Sequence, residues 1–179
     1  MNWDRDKAIS AILYVCERLD ARSLTPDTIC AILYRADKLH LGKSYIRTIC
    51  NDNYEATIDG TRPLRTYKLM TDPQWLRGVE EFFEINDEGR IAARRPPDLM
   101  KFSRSDQECL AAAIAAFHAY GRLEIEGWRK DWAWEVVTCH GAIFRDDPGP
   151  CPLSQLGVAL TLPNAMTVIR RLYDQGGIR

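Results

Sequence analysis

The sequence predicts a mainly α-helical chain with one small β-hairpin set between two helical halves. Three observations carry this. Apolar residues recur at helical spacing in three long segments, 4–20, 26–40 and 103–120. Residues suited to helix N-caps stand before the second and third of them. Only "FFEINDEGRIAA", residues 82–93, sets two short apolar runs around a turn.

In segment 4–20 the stripe is Ile9, Ile12, Leu13, Cys16 and Leu19. "LTPDTICAIL" begins the second helix. Thr25 is placed to cap, Pro26 suits the first helical position, and Asp27 complements the dipole. This helix is expected to run to about His40 and stop near Gly42, with Ile29, Ile32, Ala36 and Leu39 on one face. Segments 4–20 and 26–40 together outline an αα-hairpin or a helix-turn-helix. Residues 43–61 read as irregular, with Tyr54, Ala56 and Ile58 enough for one short strand at most. "PLRTYKLM" reads as a short helix after the punctuation of Gly60 and Pro63. In the hairpin at 82–93, Gly89 suits a left-handed turn position, and the two prolines of "RRPPD" force an extended exit. "FSRSDQECLAAAIAAFHAYG" is the clearest helix, capped by Ser103 or Ser105 and ended by Gly121. Its alanines from Ala111 to Ala116 invite close approach of another helix. Two further short helices are expected after Cys151, split at Leu162-Pro163, with Asn164 capping the last.

The chain of 179 residues suits one domain, 1–179, with a core that needs no staples. Lys and Arg number 24 against 25 Asp and Glu, so bulk adhesion to nucleic acid or anionic membranes is not expected. The only local basic cluster, "RIAARR", supplies Arg94 and Arg95. No apolar window is long enough for a membrane span, and the amino terminus lacks a signal-peptide centre; a cytoplasmic protein is expected.

Tests for chemistry mostly fail. There is no phosphate-binding glycine loop, no H-E-x-x-H and no G-x-S-x-G. The six cysteines form no C-x-x-C pair, so neither a metal site nor a redox site is expected, and no cofactor. Cys16, Cys30 and Cys109 fall within apolar stripes, as small buried hydrophobes do. Cys139 precedes His140, but neighbours in sequence need not form a thiolate pair, and we expect them not to be catalytic. His118 lies towards the end of an apolar helix and reads as packed or solvated. Five tryptophans are a heavy load for this length. Trp134 reads as core. Trp75 and Trp128 stand beside polar residues at element ends, and with Arg94 and Arg95 they are the candidate partner-binding residues.

The stretch "AILYRADKLHLGKSYIRTICNDNYEATIDGTRPLRTYKLM" resembles the Panacea domain, the SocA-like antitoxin-associated family. The matching positions are Ile32, Leu33 and Tyr34, then Ala36, Asp37 and Lys38, then His40 and Leu41. Asp52, Tyr54 and Ala56 follow, and Gly60 and Pro63 close the motif. The family usually has the glycine and proline adjacent; here Thr61 and Arg62 intervene. Further on, Tyr120-Gly121 and Ala133-Trp134 match a later family pattern. The histidine often found before that last pair is replaced by Lys130-Asp131-Trp132. The likeness covers about 25–137 and leaves 140–179 as a divergent helical region.

The resemblance implies a non-enzymatic antitoxin module that neutralises a toxin by direct protein binding, in one type as an adaptor to a bacterial protease. Such modules occur in toxin–antitoxin operons and in prophages. It also implies that Tyr34, Asp37, Lys38, His40, Asp52, Tyr54, Gly60 and Pro63 form a structural motif. The dense polarity at that corner predicts a hydrogen-bonded cluster of Asp37, His40 and Tyr54. Three other readings remain: a phage-encoded inhibitor of a host defence protein, a helix-turn-helix DNA-binding regulator, and a cysteine hydrolase. The regulator is disfavoured because the first turns of its second helix, "PDTICAIL", are acidic and apolar where base-reading residues should stand.

Overall fold

A computed structural model describes residues 3–20, 24–42, 48–57, 59–121, 125–131 and 134. The expected C-terminal helices, Cys139, His140 and Ala133 lie outside the described residues. The architecture is mainly α-helical.

Helix α1, Arg5–Arg18, starts where Asp4 accepts the Lys7 amide at 3.0 Å. It buries Ala8 through Val15 almost without a break. Helix α2, Pro26–Gly42, starts at Thr25, whose hydroxyl accepts the Thr28 amide at 3.2 Å. Thr28 to Tyr34, Ala36, Asp37, His40 and Leu41 are all buried, so α2 is wrapped on most sides. Such a helix lies in the middle of a core rather than on its edge. Its main neighbour is α5, not α1 as an αα-hairpin would have it, and α1, α3, α6 and β2 close around the rest. Leu39, expected on the buried face, is 37% exposed, because that face turns towards Asp37 and His40 in the last turns.

The segment read as irregular holds a second hairpin. Strands β1, Tyr54–Thr57, and β2, Gly60–Pro63, pair antiparallel from Tyr54 with Pro63 to Thr57 with Gly60. The glycine and proline that looked like punctuation are the two ends of β2. Proline is tolerated there because it stands at a strand end in a two-stranded ribbon. Helix α3, Leu64–Thr71, follows directly, and a single turn α4, Pro73–Leu76, is capped by Asp72 through the Gln74 amide at 2.8 Å.

The expected hairpin is β3, Phe83–Ile85, with β4, Ile91–Ala93. Gly89 has φ +70°, and the Asn86 side chain accepts the amides of Glu88 and Arg90 at 3.1 and 2.9 Å. That asparagine-led turn fixes the register. The Ile91 amide donates to Leu24 O at 2.8 Å and ties β4 to the start of α2. After the extended prolines comes one 3₁₀ turn, Leu99–Lys101, and then α5, Arg104–Tyr120. Ser103 and Asp106 form a reciprocal capping box, so Ser103 rather than Ser105 is the cap. Of the alanine run, Ala113 is the residue fully buried, beside Cys109, Leu110, Ile114 and Phe117; Ala111, Ala112 and Ala115 face out. Helix α6, Ile125–Arg129, lies on α2 and β2.

Candidate functional site

The corner after α2 is built around Asp37. Its carboxylate accepts the Ile49 amide at 2.6 Å and the Tyr54 hydroxyl, so it joins α2 to the connection that follows and to β1. No Lys, Arg or His nitrogen pairs with it among the described residues. Burial pushes the Asp37 carboxyl up to about 7, against the pull of the two hydrogen bonds from Tyr54 and Ile49. Tyr54 is held well above its ordinary value by burial and by the neighbouring Asp37 charge. Its ring lies 5.4 Å from that of Tyr34.

Asp52 serves the next element. It accepts the amides of Asn53, Arg65 and Thr66 at 2.8, 3.2 and 2.7 Å, and the Thr66 hydroxyl at 2.6 Å. It therefore does the N-capping that Pro63, without a side-chain oxygen, cannot do for α3. Burial raises the Asp52 carboxyl, with Thr66 and the backbone amides opposing. Asn51 reaches this corner at φ +52°, a left-handed conformation that asparagine tolerates.

His40 takes another direction from the expected three-residue cluster. Its Nε2 lies 3.1 Å from Asp106 Oδ1 and 3.4 Å from the Ser105 hydroxyl, both at the start of α5. Asp106 also accepts Lys7 Nζ at 2.7 Å. Burial would raise the Asp106 carboxyl, but the Lys7 ammonium and the Ser103 donors outweigh it and hold it below the usual value. Residues three apart share a side of a helix, but here that side is divided between two neighbours: Asp37 meets Ile49 and Tyr54, and His40, one turn on, meets the start of α5.

A second polar seam fastens the 125–134 stretch. Asp131 accepts the Tyr34 hydroxyl at 3.1 Å and pairs with Lys38. Burial, then the Asp131 charge, lifts the Tyr34 phenol well above its ordinary value. Asp131 thus serves both Tyr34 and Lys38 of α2. The Trp134 indole donates to Thr57 O at 2.8 Å. Arg129, buried, pairs with Asp27 at 3.0 Å and donates to Thr61 O at 3.4 Å. Gly60, at φ +115°, lets α6 come close, since a Cβ there would lie 2.5 Å from the Arg129 Cβ.

The candidate partner-binding residues divide. Trp128 is 8% exposed, a core residue with the Arg35 guanidinium 4.7 Å from its ring centre, so its placement at a surface is corrected. The short α6 turns it inward onto α2. Trp75 is half-buried and packs on Trp3, ring centres 5.5 Å apart. Arg94 and Arg95 are exposed and paired with Glu84 at 2.6 Å and Glu81 at 2.8 Å. With Arg90 paired to Glu88, the local basic cluster is neutralised across its own hairpin.

Sequence reasoning missed a neighbouring surface. A groove of about 340 Å³ runs between α1 and the extended exit from β4, lined by Ile9, Leu13, Phe82, Arg95 and Pro96, with Asp6 and Lys101 at its rim. Beside it Met100 is 93% exposed and Leu99 44%. The signal was present: an apolar pair between "RRPPD" and Lys101 that belongs to no periodic stripe.

The Cys50 thiol at the corner and the thiols of α1 and α2 are held in the neutral form. Burial pushes the Cys16 thiol up to about 12 and raises those of Cys30 and Cys50. Among the described residues no group of three or more His, Cys, Asp or Glu could hold a metal ion, and no helix is long and apolar enough to cross a membrane. No family model matches the chain, and neither a curated protein nor a solved structure matches it.

Proposed function

We propose that this protein is a non-enzymatic protein-binding module, an antitoxin that neutralises a partner toxin by direct contact. The observation that carries the reading is the exposed pair Leu99 and Met100 beside the groove that includes Arg95. Exposed apolar side chains next to a groove of this size are what a protein ligand uses, and methionine adapts its shape to one. The resemblance of Tyr34, Asp37, Lys38, His40, Asp52 and Tyr54 to the Panacea motif supports the class. Those residues are engaged in internal contacts, so they act as the frame while the groove does the binding. The buried α2 leaves little surface to enter a DNA groove, which supports protein over nucleic acid.

The test is capture of partners from the native host by the tagged chain, followed by mass spectrometry and by co-expression with the captured protein. The expected result is one protein partner whose toxicity the chain relieves. Turnover of a small molecule by the pure protein, or nucleic acid as its one tight ligand, overturns the reading.

A further inference from the structure

The 48–54 connection is held at four places, three of them through Asp37 and Asp52. Asp37 takes the Ile49 amide and the Tyr54 hydroxyl, Asp52 holds the start of α3, and the Asp4 amide of α1 donates to Cys50 O at 3.0 Å. Both carboxylates line one small cavity of about 10 Å³, the size of a single water, with Leu33, Ile49, Cys50, Tyr54 and Thr66. Asp52 is satisfied by four donors. Among the described residues Asp37 has two donors and no cation, and a buried charge so placed is costly.

We propose that the Asp37–Tyr54 pair is a proton-operated latch that sets how firmly the 48–54 connection is held to α2. The balance is simple. One proton from solvent binds Asp37 Oδ2. The new O–H donates to the Tyr54 oxygen, and the Tyr54 hydroxyl proton turns away into the cavity shared with Asp52. Asp37 Oδ1 still accepts the Ile49 amide. No bond is lost and a buried charge is removed. The titratable groups that act on the pair or on the thiol beside it come from several elements: Asp52 and the buried Cys50 in the connection, Asp106 on α5, and Lys7 on α1, which acts on Cys50. Lys7 and His40 both reach Asp106, at 2.7 and 3.1 Å.

The direction follows from linkage. In the unfolded chain Asp37 titrates near the ordinary carboxylate value, whereas in the fold it is pushed up to about 7. The folded state therefore binds an extra proton between these values. Its stability contribution is complete at pH below the unfolded value and is lost as pH rises through about 7. The latch is tight in mild acid and looser in mild base. Because the Tyr54 ring lies against Tyr34, which donates to Asp131, loosening also reaches the seam that holds the 125–134 stretch.

Carbon-13 NMR of the carboxyl groups in the full chain reads the titration directly. The Asp37 carboxyl is expected to titrate about three pH units above an exposed aspartate. Tyr54→Phe, which keeps the ring and removes the donor, is expected to move that midpoint further up. In urea unfolding, the wild-type midpoint is expected to fall between pH 5 and 8, and Asp37→Asn to flatten most of that fall. His40→Gln separates any histidine contribution to the same range. An Asp37 midpoint below pH 5 overturns the proposal. So does an unchanged midpoint in Tyr54→Phe, and so does a pH profile of Asp37→Asn equal to that of the wild type. The NMR readings on the wild type decide the matter if Asp37→Asn does not fold.

Discussion

Two aspartates of one motif perform different work because their donors differ. Asp52 meets three amides and a hydroxyl at the start of α3, a cap made from outside the helix. Asp52→Ala would leave the Arg65 and Thr66 amides and the Thr66 hydroxyl without that acceptor. A loss of about 1–3 kcal/mol in urea unfolding is expected; a change within a few tenths would mean the donors find other acceptors. The thiols show the same dependence on surroundings. Cys30, Cys50 and Cys109 are buried and Cys16 half-buried, with the shifts for Cys16, Cys30 and Cys50 all upward. Under native conditions at neutral pH these four are expected to react with iodoacetamide far more slowly than a peptide cysteine, with peptide mapping as the readout. A fast reaction at any of the four would show that its site opens readily.

At the scale of elements, the β1–β2 hairpin and α6 depend on one another. Gly60 begins β2 at φ +115° and faces the Arg129 backbone and Cβ. Adding a methyl group there both strains the backbone and pushes α6 away. Gly60→Ala is expected to lower stability by roughly 1–3 kcal/mol and to shift tryptophan emission to the red as Trp128 gains water. Gly89→Ala is the useful contrast: φ is also positive, but nothing lies within 4 Å of the added atom. It should cost less and leave the emission unchanged. Equal effects from both substitutions would show that backbone strain alone, not the approach of α6, accounts for Gly60.

For the whole molecule, surface and frame are separable. Ile9 and Leu13 floor the groove from the core side, whereas Met100 is nearly all solvent-exposed. Met100→Asp is therefore expected to leave thermal unfolding within about a degree. It should weaken binding of the captured partner about tenfold or more, as loss of an anchor does, measured by titration calorimetry. Arg95→Glu should weaken it as well, by reversing a charge at the groove and opposing Glu81. Unchanged affinity in both variants would place the interface elsewhere on the protein.

The sequence by itself determined α1, α2, α3 and α5 and the hairpin at 82–93, because these follow from short-range chemistry. Thr25, Ser103, Gly89 and Gly121 act within a few residues of themselves. Polarity where a buried turn should be apolar marked Asp37, His40 and Tyr54 as a set, of which the structure joins Asp37 and Tyr54; Asp52 was marked only by the resemblance. The sequence did not reveal the β1–β2 pairing, since four-residue strands ending in glycine and proline carry almost no periodicity. Nor could it show that His40 turns to Asp106, that Asp131 receives Tyr34 and Lys38, or that Trp128 is core while Met100 is surface. Those contacts join residues from 66 to 97 positions apart. They are decided by which helix faces meet when α2 is enclosed, and only the tertiary structure settles that, because burial is a property of the packed chain and not of any segment in it.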